Sequence, residues 1–140
     1  MKRIMMIVLA AVLTTAATFA DMPIAANQLP SEAQGFISST FPKATIQGAV
    51  QDDWNEFEVY LSDGTMIEFR GGAWTSVKSQ SGGASVVLPA AANSWIAANQ
   101  AGATVYEVDK NWNGFEVKLS NFIEAYFDAN GNFLGQKWDD

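Results

Sequence analysis

One stretch of eleven residues occurs twice in this chain, fifty-eight positions apart. DWNEFEVYLSD occupies residues 53–63 and NWNGFEVKLSN occupies residues 111–121, with seven identical residues at matching positions. An internal repeat of this kind indicates that one supersecondary unit is present in two copies. The fold must therefore accommodate the same order of helices and strands twice.

Each copy opens with a short amphipathic helix. Pro30 and Pro89 suit the first turn of a helix, where no amide donor is needed. The first helix is expected to end at Phe41–Pro42, because proline disfavours helical geometry in the residue before it. The second loses its pattern at Gly102. Apolar residues recur at the spacing of one helical face behind each proline, namely Ala33, Phe36, Ile37 and Phe41, and then Ala92, Trp95 and Ile96.

Four antiparallel strands are predicted to follow each helix. Residues 57–62 alternate between apolar and polar side chains, and residues 115–120 repeat the alternation, which predicts a strand with one dry and one wet face. Asn113–Gly114 is a two-residue hairpin signal in which both residues can adopt a positive φ, and Asn55–Glu56 is its weaker counterpart. The pattern therefore predicts one helix and about four strands in each copy.

The duplication predicts an α+β fold with one continuous antiparallel sheet and its helices on one face. A half of about 55 residues buries only a marginal core and leaves exposed sheet edges, so two copies are expected to merge. The predicted order is a signal peptide at 1–20, an N-terminal extension at 21–28, the first repeat at 29–80, a connector at 81–87 and the second repeat at 88–140. The β-branched end of the connector could extend a strand across the junction.

The N-terminus is typical of a secretory signal peptide. Lys2 and Arg3 precede an apolar run from Ile4 to about Leu13, and small residues lead to Ala20. The alternative is a membrane-spanning helix, but the run is shorter than the roughly 20 residues needed to cross a bilayer. We therefore expect a periplasmic or secreted chain without a stable membrane anchor after cleavage.

The composition excludes several classes of function. Without the two basic residues of the leader, six Lys and Arg stand against fifteen Asp and Glu, a net charge of -9. Nucleic acid is an unsuitable partner for such a chain, since phosphate binding requires a basic surface. The chain has no His and no Cys, which removes Ser-His-Asp and Cys-His catalysis and the usual zinc sites. Carboxylate chemistry is the most plausible catalysis that remains.

The order of these motifs resembles a known family. The motifs are LP-x2-A-x2-FI-x3-FP-x-A at 29–44, FEV-x-L-x-DG-x2-IEF at 57–69 and G-x-W-x2-V at 72–77, followed by a looser second copy that ends with an Asp pair. They resemble the PepSY-like family of exported bacterial proteins, which are also described as beta-lactamase-inhibitor-like. The resemblance implies tandem helix-plus-sheet units, export, and no established catalysis, and the related inhibitor architecture clamps a protein with its sheet. Where the first copy has Asp63–Gly64, the second has Asn121–Phe122.

The aromatic residues provide the first candidate site. Trp54 and Trp112 flank the predicted hairpin turns, Tyr60 lies on a wet strand face, and loss of the turn glycine could expose Phe122. Exposed rings can anchor a protein, since they bury much area at little entropic cost. Alternatively, each tryptophan pairs across its turn with a phenylalanine and packs on the dry face. Six other aromatic residues are assigned to the core: Phe36, Phe69, Trp74, Trp95, Phe127 and Phe133.

The acidic residues provide two further candidates. Glu58 and Glu116 occupy equivalent wet-face positions, where they could dock a basic partner or, if they shared a cleft, perform acid and base catalysis. A calcium site is a weaker hypothesis. Its oxygen ligands would come from Asp128, Asn130 and Asn132, with the terminal pair Asp139 and Asp140 as helpers, but Gly131 stands at the wrong position for a calcium loop and DANG also suits a tight hairpin.

The sequence thus predicts an exported, non-enzymatic module that requires no cofactor. We expect it to bind or inhibit an unknown protein or peptide through the exposed face of the sheet. A calcium-responsive or small-ligand sensor is the alternative. The pattern does not predict the oligomeric state.

Overall fold

The computed structural model describes residues 21–139, so the predicted signal peptide and Asp140 lie outside the described residues. Within that range the helices are α1 (Ser31–Thr40) and α2 (Ala90–Asn99), with short 3-10 helices at Ala26–Gln28 and Gly83–Val87. The strands are β1 (Met22–Ile24), β2 (Ile46–Asp53), β3 (Glu56–Leu61), β4 (Met66–Arg70), β5 (Ala73–Lys78), β6 (Val105–Asn111), β7 (Gly114–Leu119), β8 (Ile123–Asp128) and β9 (Phe133–Trp138). Neither helix of this part of the chain is long and apolar enough to cross a membrane.

The strands form a single antiparallel sheet in chain order, from β1 at one edge to β9 at the other. Helix α1 precedes β2–β5 and helix α2 precedes β6–β9, so both halves have the same order of elements. The first helix ends before Phe41, as the following proline predicts. The predicted α+β class with one continuous sheet is confirmed.

Both helices pack on the same face of the sheet. The ring of Phe36 on α1 lies 6.0 Å from that of Phe69 on β4, and Trp95 on α2 lies 5.7 Å from Phe127 on β8. Ile37 and Ile96 are almost fully buried beneath the helices, and each such burial contributes roughly 1.5–3 kcal/mol. The opposite side of the sheet, which neither helix covers, is called the open face below.

A shared core joins the two halves. Strands β5 and β6 pair through three residues each, including Val77 opposite Val108. Above this pairing, the ring of Trp74 on β5 stacks between Phe36 of the first half, at 6.1 Å, and Phe115 of the second half, at 6.2 Å. The apolar side chains of both halves therefore form a single cluster.

The hairpin tips differ from the prediction by one residue. Asp53 pairs with Glu56 and Asn111 pairs with Gly114, so the loops are residues 54–55 and 112–113. Asn113 does not adopt a positive φ. Instead, Asn111 Oδ1 accepts hydrogen bonds from the amides of Asn113 at 2.8 Å and Gly114 at 2.9 Å, which closes the turn. Gly114 already belongs to the strand, where an added Cβ would collide with the carbonyl oxygen of Phe127.

Two other expectations were wrong. The connector forms the 3-10 helix Gly83–Val87 instead of extending a strand, because Gly82 turns the chain with a φ of 89° and Ala84 is buried. Phe133 was assigned to the core but is 37% exposed. It lies on β9, the last strand of the sheet, although its ring stacks on Trp95 at 3.9 Å. Of the other core aromatics, two are buried and three pack against the core while partly exposed: Phe69 and Phe127, then Phe36, Trp74 and Trp95.

Candidate binding face

A line of acidic side chains crosses the centre of the open face. Glu58, Glu68, Ser76, Asp109 and Glu116 are successive cross-strand partners on β3 to β7. Their neighbours along each strand face the core, so all five side chains share the open face. We call these five residues the acidic row. At the usual spacing between strands it runs for about 19 Å from its first carboxylate to its last.

The acidic row contains two pairs of directly opposed like charges. Glu58 faces Glu68, and Asp109 faces Glu116. Such pairs destabilise a sheet. Burial raises the pKa of Glu68, and the charges of Glu58 and Asp109 raise it further, although Lys78 opposes them. The Lys78 ammonium is 3.9 Å from the Glu68 carboxylate, which is too distant for a strong ion pair.

The neighbouring line of residues alternates between positive and negative charge. Lys78, Glu107, Lys118, Glu124 and Lys137 alternate in sign across β5 to β9. Lys137 Nζ lies 3.6 Å from Glu124 Oε1, and Glu107 raises the pKa of Lys118. Of these two lines, only the acidic row has a net negative formal charge.

Glu107 connects the two lines of residues. Burial raises the pKa of its carboxyl to about 7, and a hydrogen bond with Asp109 acts in the same direction. A carboxyl with such a pKa exchanges its proton near neutral pH. The charge of the open face therefore depends on pH in the physiological range.

Ser76 lies in the middle of the acidic row, between Glu68 and Asp109. Its side chain is only 5% exposed, and its hydroxyl has no hydrogen-bond partner among the described residues. Buried hydroxyl groups are normally hydrogen-bonded, because an unpaired one costs free energy. The floor of the acidic row thus holds an unused hydrogen-bonding group.

A depression of about 180 Å³ adjoins the first half of the row. Its polar lining consists of Asp52, Glu56, Glu58, Glu68, Arg70 and Thr75. The one basic group in this lining, Arg70, is bound at 2.7 Å to Glu56. The depression therefore presents mainly carboxylate oxygens.

Tyr60 lies beside this depression on β3. Its hydroxyl donates a 2.7 Å hydrogen bond to Glu58 Oε1, and that bond is the main cause that raises the pKa of Tyr60 to about 12. The phenol therefore remains a neutral donor, and its partly exposed ring flanks the acidic row.

The two repeat tryptophans stand at the hairpin tips. Trp54 is 71% exposed and Trp112 is 95% exposed, so packing on the dry face does not occur. Both tips lie at the same end of the sheet, separated by four strand spacings, or about 19 Å. Phe122 is 67% exposed but lies at the opposite end, in the turn between β7 and β8.

The predicted site residues therefore form more than one group. Glu58, Tyr60 and Glu116 share the open face. Trp54 and Trp112 border one end of the sheet, whereas Phe122 lies at the other. Glu58 and Glu116 stand at the two ends of the acidic row, too far apart for the acid and base pair of a glycosidase, which needs carboxyls within about 10 Å.

The candidate calcium loop has internal partners for its carboxylate. Asp128 Oδ1 accepts the amides of Asn130 at 2.9 Å and Asn132 at 2.8 Å, and Oδ2 accepts the Asn132 side-chain amide at 3.1 Å. These bonds from Asn132 are the main reason that the pKa of Asp128 is lowered. Asp139, the expected helper, follows β9 and bonds through its amide to Phe122 at the far end of the β8–β9 hairpin, about 17 Å away.

Three members of the acidic row were not singled out from the sequence: Glu68, Ser76 and Asp109. The stretches TMIEF and EVDK do carry the alternation that assigns Glu68 and Asp109 to a wet face. Their alignment with Glu58 and Glu116 depends on strand register, which the alternation does not specify. No pattern could have indicated that the hydroxyl of Ser76 would be buried.

Comparison with known proteins shows that the chain is similar to proteins described as periplasmic. A family model described as "Putative beta-lactamase-inhibitor-like, PepSY-like" matches residues 55–135. No curated protein matches the sequence. A solved structure from Bacteroides vulgatus ATCC 8482, described as a "putative periplasmic protein from DUF2874 family", is 31% identical with a TM-score of 0.67 and covers 84% of this chain and 96% of its own.

Two further solved structures are similar over the same share of this chain, 84%. One is from Bacteroides thetaiotaomicron, with 29% identity, a TM-score of 0.71 and 96% of its own chain covered, and is described as a "putative calcium-regulated periplasmic protein". The other is from Bacteroides vulgatus ATCC 8482, with 27% identity, a TM-score of 0.69 and 99% of its own chain covered, and is described as a "putative periplasmic protein of unknown function".

Proposed function

The chain belongs to the PepSY-like, beta-lactamase-inhibitor-like family of periplasmic proteins, and from this premise we propose that it is a non-enzymatic binding module that holds a protein or peptide on the open face of its sheet. One observation carries the proposal. Both helices lie on the other face, and the open face bears an acidic row whose like charges oppose one another. A partner that covered this row would relieve the repulsion.

The chemistry of the open face also supports binding over catalysis. The chain has neither His nor Cys, and the two repeat carboxylates are separated along the row. Rigid aromatic side chains border the face, as at many protein interfaces. Inhibition of an enzyme is one consequence that such binding could have.

Site-specific photo-crosslinking tests the proposal. A photo-reactive amino acid replaces Glu116 on the open face in one variant and Ser39, an exposed residue of α1, in the matched control. Both variants are exported in the native host and irradiated. We expect a specific crosslinked product from position 116 that position 39 does not give. Equal products from both positions, or products from position 39 alone, would contradict the proposal.

A calcium-responsive sensor is the second candidate, and the description of the Bacteroides thetaiotaomicron neighbour is the observation that favours it. An ion that binds the native state and not the unfolded chain must raise the melting temperature. The experiment therefore measures the melting temperature of the natural chain and of Asp128→Ala, each in millimolar calcium and in chelator. A calcium-dependent rise that the variant loses would support this candidate, and identical melting curves would exclude it.

A further inference from the structure

The acidic row has the properties of a site for positive charge. Four carboxylates follow one another across β3 to β7, and directly opposed like charges form two pairs within them. The nearest guanidinium, that of Arg70, is engaged by Glu56, and the ammonium of Lys78 lies 3.9 Å from Glu68. A cation brought by a partner would stand between these carboxylates and stabilise them.

The buried hydroxyl of Ser76 is an independent observation that points to a ligand. Ser76 lies between Glu68 and Asp109 and is 95% buried. Its hydroxyl has no hydrogen-bond partner among the described residues. A hydroxyl oxygen accepts hydrogen bonds from N–H donors. The hydroxyl oxygen has almost no exposed surface, so an ammonium or guanidinium group bound by the flanking carboxylates could donate a hydrogen bond to it once the side chains that cover it move aside.

The size and shape of the site favour an organic cation over a metal ion. The depression of about 180 Å³ beside Glu58 and Glu68 has room for a single ammonium or guanidinium group with its last methylenes. Among residues 21–139, no group of three or more carboxylates converges on a point that could hold a metal. The charges form a line across the strands, and a line of charge suits an extended chain with several cationic side chains.

Resting on the proposed function, we propose that the acidic row receives the lysine or arginine side chains of an extended basic segment of the partner protein. One side chain enters the depression beside Glu58 and Glu68, and a second reaches the half of the row formed by Asp109 and Glu116. Ser76 accepts a hydrogen bond between them. The row determines charge selectivity, while the exposed rings at the border of the sheet add contact area.

Fluorescence anisotropy with defined peptides tests this inference. The probe is a labelled peptide of four Lys-Ser repeats, compared with Gln-Ser and Glu-Ser peptides of the same length in 50 mM NaCl. We expect the lysine peptide alone to bind. Spermidine serves as a separate competitor, and if it displaced the lysine peptide as effectively as the unlabelled peptide does, the assignment to a protein segment would be overturned.

Matched variants locate the binding. Glu58→Gln with Glu68→Gln removes two charges from the row, and Glu32→Gln with Asp63→Asn removes two elsewhere. Asp63→Asn is structurally conservative, because Asn121 occupies the same place in the second repeat and accepts the same kind of turn hydrogen bond. We expect the row variant to weaken binding at least tenfold and the control less than twofold. Equal losses would show nonspecific charge attraction and overturn the inference.

Ser76→Ala separates a ligand-binding hydroxyl from a merely structural one. The variant is expected to melt at a higher temperature without peptide and to bind the lysine peptide several-fold more weakly. Unchanged affinity would remove Ser76 from the site. Crosslinking from position 116 together with unchanged peptide binding by the row variant would retain the proposed function and overturn only the basic segment. Absence of crosslinks from position 116 would instead contradict the proposed function itself.

Discussion

Phe122 is the only residue other than glycine with a positive φ among the described residues, at 68°. The equivalent position of the first repeat is Gly64, with a φ of 89°. A side chain in this left-handed region costs roughly 1–2 kcal/mol. Strained residues of this kind often occur at functional sites, and the ring of Phe122 is exposed, so its contribution to stability from burial is small.

Substitution of Phe122 and of Gly64 provides a prediction at the scale of single residues. Phe122→Gly should raise the free energy of unfolding by about 1 kcal/mol, because it relieves the strained backbone. Gly64→Ala should lower it by about 1 kcal/mol for the same reason, since an added Cβ at Gly64 meets no atom within 4 Å. Urea unfolding of both variants measures these changes. A loss of stability in Phe122→Gly would show that the ring contributes more through packing than the backbone strain costs.

At the scale of the elements, strand register aligns carboxylates that are far apart in the sequence on one face of the sheet. Alternation along β3, β4, β6 and β7 directs each acidic side chain outward, and cross-strand pairing then aligns them. The same pairing places Glu107 two residues from Asp109 on one face of β6. Burial is the main cause that raises the pKa of the Glu107 carboxyl, and the hydrogen bond and the negative charge of Asp109 raise it further.

The raised pKa of Glu107 predicts how stability depends on pH. The folded-state pKa of Glu107, about 7, lies above its ordinary value of 4.5, so the folded chain holds this proton more tightly than the unfolded chain. The corresponding stability is complete below pH 4.5 and is lost as the pH rises through 7. A shift of this size corresponds to about 3 kcal/mol at most, and solvent screening of a half-buried group reduces it to about 1 kcal/mol.

Thermal melting between pH 4 and 8 measures that contribution. The natural chain should lose roughly 4 °C relative to Glu107→Gln across this range. Glu32→Gln, on α1, serves as the control with the same chemical change. Parallel melting profiles for the natural chain and Glu107→Gln would contradict the prediction, as would an equal effect of the control substitution.

At the scale of the whole molecule, Trp74 joins the two halves. It stacks between Phe36 and Phe115, and the Lys110 ammonium lies 4.4 Å from its ring centroid. The β5–β6 pairing continues the sheet beneath these rings. Because each half presents part of its apolar surface to the other, neither half is expected to unfold independently.

Trp74→Ala tests this coupling. Loss of the ring should lower the free energy of unfolding by about 3 kcal/mol, by analogy with large-to-small substitutions in cores. The variant and the natural chain should each unfold in one transition, with far-ultraviolet circular dichroism and tryptophan fluorescence giving the same urea midpoint. Two separated transitions in either protein would show that the halves behave as independent domains.

The sequence by itself determined the order of elements and the two faces of the sheet. Phe57, Val59 and Leu61 alternate with polar residues, and Pro30 and Pro89 precede helices, because these signals arise between residues that are close along the chain. The second predicted hairpin turn was displaced by one residue for a local reason as well, since Asn111 supplied the side-chain hydrogen bonds that close it.

Only the tertiary structure decided which residues form the candidate site. Glu58 and Glu116 were recognisable as wet-face residues, but their alignment with Glu68, Ser76 and Asp109 depends on pairing between strands that are distant in sequence. Register is set by which apolar side chains share the core, and a shift of one residue would reverse the faces. The helices fold onto one side because a common interior buries more apolar surface than two separate halves could, and this packing leaves the acidic row uncovered.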